Sequence, residues 1–177
     1  MSTVDFPPKE VREVVNEVAA LLKDRKETIS VAETAAGGII SASLLSVQGA
    51  STYYKGGLTV YTLDSRIAFA GWTPDNVTTY KGPSPAVVSG LADNVRGRLG
   101  STYTVSESGT AGPTGGATRN RTPGYVALAV SSDKGTFTRE VETGVPKGEG
   151  MRESNMVRFA VEALTLLKDV IKGDAKL

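Results

Sequence analysis

The sequence predicts one α/β domain of 177 residues, a three-layer α/β/α sandwich with a mixed, mainly parallel sheet. Three observations carry this. Short β-branched or apolar runs alternate with longer stretches of helical period. Small-residue turns rich in glycine stand at the ends of these elements, at 33–38, 49–52 and 108–116. Late in the chain, Asp133-Lys134-Gly135 links two runs as a hairpin, which adds antiparallel strands to a parallel centre.

Each element has its own reason. Over 9–26, Val11, Val14, Val15, Val18, Leu21 and Leu22 recur at helical spacing and give one apolar stripe. Residues 28–32 are a short β-branched strand, and Gly37-Gly38 then opens a small-residue helix over 38–47. The next strand is 56–62, followed by a short helix at 63–69 that Gly71 stops, with Pro74 beyond it. KGPSP at 81–85 is a rigid connector into a helix over 86–99, with Gly100 as its stop. A strand at 101–106 runs into the glycine-rich loop. The apolar run 124–132 is a buried strand, and 136–143 alternates as its half-exposed partner. A final helix at 153–171 turns Met156, Phe159, Ala160, Ala163, Leu164, Leu167 and Ile171 inward. No repeat or linker divides the chain, so 1–177 is read as one domain with loose termini at 1–8 and 173–177.

Composition narrows the chemistry. The chain has no His and no Cys, which excludes Ser-His-Asp and Cys-His catalysis, thiol redox chemistry and the usual protein-built zinc sites. No acidic cluster suggests a bound metal, and no cofactor motif is present. A net charge of +1 makes no case for nucleic acid or an anionic membrane as partner. With no apolar span and no apolar leader segment, the expected location is intracellular, in the cytoplasm.

In sheets of this kind ligands bind beyond the carboxyl ends of the strands. The turn with Thr34, Ala35, Gly37 and Gly38 follows a strand and opens a helix, whose free N–H groups suit an anion; the alternative is a plain βα turn. The loop SGTAGPTGG, with Thr110, Gly112 and Gly115, lies near Arg119 and Arg121 and suits a phosphate; the alternative is a flexible surface loop. Ser51, in the small-residue turn after Gly49, has Lys55, Tyr61 and Arg66 downstream; alone it would pass for a helix cap. Lys55, four residues on, is a candidate base for it if the turn opens a helix.

These residues also carry a resemblance, from about Val11 to Leu167. SVAETAAGG at 30–38 resembles the SVAESCTGG of the CinA C-terminal domain family, the nicotinamide-mononucleotide deamidases also called PncC. Gly49-Ala50-Ser51 resembles the family's GSS turn, 56–66 its GG-x-V-x-Y-S-N-x-x-K, 108–116 its SGIAGPxGG, and GMRESNM at 150–156 its GDREAVR. The resemblance implies hydrolysis of the amide of nicotinamide mononucleotide to the nicotinate form plus ammonia. It implies Ser51 as nucleophile, with Tyr61 and Arg152 assisting, a small nucleotide as partner and a homo-oligomer, in which Tyr53, Tyr54 and Trp72 are candidate interface aromatics. The family's lysine is Arg66 here. A guanidinium does not give up its proton, so Arg66 suits phosphate binding or oxyanion stabilisation. The open alternatives are a deamidase with another base, a nucleotide-binding protein that has lost turnover, and an interaction protein that uses only the scaffold.

Overall fold

The computed structural model describes residues 5–177. Helix α1 (Lys9–Arg25) precedes strand β1 (Ile29–Glu33), helix α2 (Ile39–Ser46), a 3-10 turn (Ala50–Thr52) and strand β2 (Tyr54–Thr59). Helices α3 (Leu63–Phe69), α4 (Pro74–Thr79) and α5 (Pro85–Leu99) lead to strand β3 (Tyr103–Gly109). A 3-10 turn (Arg119–Arg121), strands β4 (Tyr125–Ser132) and β5 (Gly135–Glu142), and helix α6 (Met151–Lys172) complete the chain.

The sheet order is β2-β1-β3-β4-β5. β1 runs parallel to both β2 and β3, and the β3–β4 and β4–β5 pairings are antiparallel. β1 and β4 are buried along their whole length, whereas the edge strands β2 and β5 alternate. That is the pattern of strands covered on both faces against strands open on one. One face packs on α1, α2 and α6 through Val15, Val18, Leu22, Ile40, Leu44, Phe159 and Leu164. The other packs on α5, where Leu91 and Val95 meet Ala32, and Val88 and Ala92 meet Tyr125 and Ala127.

The local signals explain most boundaries. Ser84 caps α5 by accepting the Val87 N–H, Pro85 sits at its first turn, and Gly100 ends it in the left-handed conformation. Helix α4 was not expected, because 74–79 has no apolar period. It forms on its cap instead: the N–H and hydroxyl of Thr73 both donate to Asn76 Oδ1. Of the expected loose termini, residues 1–4 lie outside the described ones. Pro7 is buried and receives an Arg12 hydrogen bond, and the Asp174 N–H closes on Asp169 O.

The connection after β1 crosses to β2 on one side, and the chain after β3 turns to β4 on the other. The carboxyl ends of β1 and β3 therefore flank the switch point of the sheet.

Candidate functional site

There the turn 34–38 lies beside the end of β3. Thr34 and Ala36 donate their N–H groups, at 2.7 Å each, to one oxygen of Glu107, a β3 residue that is wholly buried. The Thr34 hydroxyl donates to Ser108 Oγ at 3.2 Å. Glu33, buried on the neighbouring strand, accepts the Ile40 and Ser41 N–H groups at 3.1 and 2.9 Å. Burial pushes both carboxyls up, Glu107 to about 7, and the backbone donors pull each partly back.

These contacts revise the expectation for the turn. The N–H groups that suited a ligand anion at Thr34, Ala36 and the start of α2 are already taken by Glu33 and Glu107. The glycines there serve shape: Gly37 and Gly38 both have positive φ, and a Cβ on Gly37 would come within 3.0 Å of the Met156 methyl.

Two of the predicted cations, Arg66 and Arg152, lie on α3 and α6. Arg152, at the start of α6, donates to Gly112 O at 2.8 Å and to the Tyr61 hydroxyl at 3.2 Å, joining three sequence-predicted residues from three elements. Tyr61 is 59% exposed and so presents its ring and hydroxyl to solvent. Arg66 is only 3% exposed. Its Nε donates to Val60 O at 3.2 Å, and its guanidinium lies 5.0 Å from the centroid of Trp72 and 5.2 Å from that of Tyr80. Its Nη1 is enclosed without a partner. Among the described residues neither Arg66 nor Arg152 forms an ion pair.

Other predicted residues lie elsewhere. Ile29 pairs with Tyr54 and Glu33 with Thr59, so Gly49 and Ser51 stand beyond the amino end of β2, while Tyr61 stands beyond its carboxyl end. β2 alone spans roughly 17 Å at about 3.3 Å per residue. One chain therefore does not bring Ser51 to Tyr61, Arg66 and Thr110. Lys55 is exposed on β2 rather than one helical turn from Ser51, because the 3-10 turn passes straight into the strand. Arg119 is held by Glu140 and Glu142 at 3.0 and 2.7 Å, with its guanidinium over the Tyr125 ring, and is directed at β5. The loop holding Thr110, Gly112 and Gly115 folds on itself: Thr110 N–H donates to Tyr125 O, its hydroxyl to Asn120 O, and Gly116 N–H to Arg121 O. A Cβ on Gly115 would lie 2.6 Å from the Pro123 ring. Tyr53 is core, not interface: it is 1% exposed and donates to Leu44 O. Trp72 stacks on Arg66 and meets Tyr80 edge-on at 5.6 Å.

Glu107, Tyr80 and Asn155 had gone unread in the sequence, and Trp72 had been read as an interface aromatic. Glu107 is a lone acid within the buried strand TVSES, and that mismatch was its signal. Trp72 and Tyr80 form the aromatic box of Arg66 through the unexpected helix α4. Asn155, buried on α6, donates to Ala111 O at 2.9 Å and accepts from Thr143, fixing the loop before Arg152. Among the described residues no group of three or more carboxylates gathers as metal ligands, and no helix is long and apolar enough to cross a membrane.

The fold is an α/β/α domain in which Arg152 ties the loop after β3 to Tyr61 near the sheet's switch point. The chain belongs to the CinA C-terminal domain family, whose profile matches residues 11–171. A CinA-like protein of Flavobacterium psychrophilum is 30% identical over 98% of this chain and 40% of its own length. One from Prochlorococcus marinus is 35% identical over 86% of this chain and 35% of its own. The chain thus spans well under half of these curated relatives. The crystal structure of a competence/damage inducible protein from Agrobacterium tumefaciens superposes with a TM-score of 0.82 at 24% identity, covering 97% of this chain and 99% of that one. One from Enterobacter asburiae gives 0.80 at 22% identity, covering 91% and 98%. These two likenesses bear on the fold alone.

Proposed function

We propose that this chain hydrolyses the carboxamide of nicotinamide mononucleotide, or of a closely related nucleotide, releasing ammonia. The observation that carries the reading is Arg152, which donates to Gly112 O and to the exposed Tyr61 hydroxyl; among the described residues neither it nor Arg66 is in an ion pair. A phosphate suits the Arg152 guanidinium, and the exposed Tyr61 ring offers a flat apolar face beside it. Membership of the family supports the reaction class.

The serine enters the proposal through a second copy of the chain. β2 is an edge strand with an unpaired outer side. Beside it Leu58, Phe69 and Leu99 line an open apolar cavity of about 200 Å³, with Phe69 60% exposed. Two β2 strands paired antiparallel across a two-fold axis would set the amino end of one beside the carboxyl end of the other. Ser51 of one copy would then approach Tyr61 and Arg152 of its partner. The serine would attack the amide carbon and expel ammonia, and water would release the acid from the resulting ester.

A second reading is nucleotide binding without turnover. It is favoured by Arg66, which occupies the position of the family's lysine and is pinned under two aromatic rings. One assay separates the two: incubate the protein with nicotinamide mononucleotide and follow binding and ammonia together. Hydrolysis gives ammonia equal to nicotinate mononucleotide, and Arg152→Ala lowers it by at least about tenfold. Binding with no ammonia above the uncatalysed rate supports the second reading, and no binding removes both.

A further inference from the structure

Between α4 and α5 the surface holds an open cavity of about 430 Å³, and none of Tyr61, Gly112 and Arg152 lines it. Trp72 and Tyr80 form part of its wall, edge-on to each other with ring centroids 5.6 Å apart and planes at 62°. A flat ring laid on one of them meets the other edge to face, and aromatic groups favour both contacts. A further wall is α5, where Gly90 lines the cavity. A Cβ on Gly90 would meet nothing within 4 Å, so no neighbour requires the glycine. Glycine inside a helix is destabilising relative to alanine. Here the missing side chain leaves the cavity open.

The polar groups of the lining are unequally committed. Asn76 spends Oδ1 on the N–H and hydroxyl of Thr73. Asn120 spends Nδ2 on Lys81 O and Pro83 O, and its Oδ1 accepts the Thr118 hydroxyl. Asn94 Oδ1 is enclosed. What remains is mainly donors: among the described residues the side-chain nitrogens of Trp72, Asn76, Lys81 and Asn94 make no hydrogen bond. Lys81 is the one charged side chain of the lining, and no carboxylate or guanidinium joins it.

We propose that this cavity binds a small aromatic carboxylate, its ring against Trp72 and Tyr80 and its carboxylate taken up by nitrogen donors among Asn76, Lys81 and Asn94. Each part of the ligand answers a part of the lining. The aromatic corner calls for a flat ring, the unspent donors for acceptors, and a single lysine for a single negative charge. A cation would find no carboxylate here, and a doubly charged phosphate would find only one exposed lysine. The site is separate from the proposed hydrolysis and does not rest on it.

Trp72 is the chain's one tryptophan, so its fluorescence reports on the cavity directly. Benzoate is the probe, titrated with excitation where it does not absorb. The wild type shows a saturable change with a Kd on the order of 1 mM, in keeping with so small a ligand. Benzamide keeps the ring without the charge, and cyclohexanecarboxylate keeps the charge without the aromatic ring; each binds at least about fivefold more weakly. Gly90→Leu puts a side chain into the cavity and suits the helix better than glycine. It unfolds no earlier than the wild type and shows no saturable change. Lys81→Met, at an exposed position, weakens benzoate about threefold, and Arg152→Ala leaves its affinity unchanged. No saturable change with benzoate overturns the proposal, as does equal binding of benzamide or cyclohexanecarboxylate. Binding that survives in folded Gly90→Leu, or is lost in folded Arg152→Ala, overturns it too. Should Gly90→Leu fail to fold, Lys81→Met decides, and an unchanged affinity there counts against the site. Ammonia release, or its absence, bears on the hydrolysis and not on this cavity.

Discussion

A carboxyl enclosed as Glu107 is sits more easily in its protonated form, and this makes the stability of the domain depend on pH. Its pKa is raised on folding, from 4.5 to about 7, chiefly by burial. Between those values the folded chain holds a proton that the unfolded chain has released, so stability falls as pH rises. The contribution is complete below about pH 4.5 and gone above about pH 7, and at about 1.4 kcal/mol per unit it amounts to at most roughly 3 kcal/mol. Glu33 is shifted in the same direction and adds to the slope. Urea denaturation at pH 5, 6, 7 and 8 is expected to show declining stability for the wild type and a clearly flatter profile for Glu107→Gln. A wild-type profile that rises across this window contradicts the account of Glu107. At the same scale, Val60 O, Trp72 and Tyr80 hold the Arg66 guanidinium in one place.

At the scale of elements, one tight constraint near the site is where β3 meets α6. A Cβ on Gly109 would stand 2.7 Å from a Phe159 ring carbon and 2.7 Å from Tyr125 O, which accepts the Thr110 N–H. Neither neighbour yields cheaply, since Phe159 is fully buried and the carbonyl belongs to a central strand. Gly109→Ala should cost about 1–3 kcal/mol by overpacking, read from the shift in denaturation midpoint. A loss under about 0.5 kcal/mol would mean that β3 and α6 are not packed as described. The elements themselves were largely legible, because periodicity reports burial. The stripe Val11–Val15–Val18–Leu22 marks α1, and the apolar run before Asp133 marks β4. Helix α4 was not legible. Its six residues bury no side chain, and only the Thr73–Asn76 cap marks it.

At the scale of the whole molecule, the site was legible in part. Tyr61, Arg152 and Gly112, far apart in sequence, do meet. The internal use of the turn's N–H groups was hidden, because it depends on Glu107 reaching across from another strand, 73 residues on from Thr34. The position of Ser51 was hidden too, since spacing along a chain does not say which end of a strand a turn occupies. That position leads to the proposal of amide hydrolysis at a site that two copies of the chain complete together. The most direct measurement mixes Ser51→Ala with Arg152→Ala protein, after unfolding and refolding to exchange subunits, and follows ammonia release from nicotinamide mononucleotide. Each variant alone is expected to be inactive. An equal mixture is expected to recover about a quarter of wild-type activity, because half the dimers are mixed and each carries one intact site. A mixture as inactive as its components, from proteins that have refolded and exchanged, would contradict the shared site.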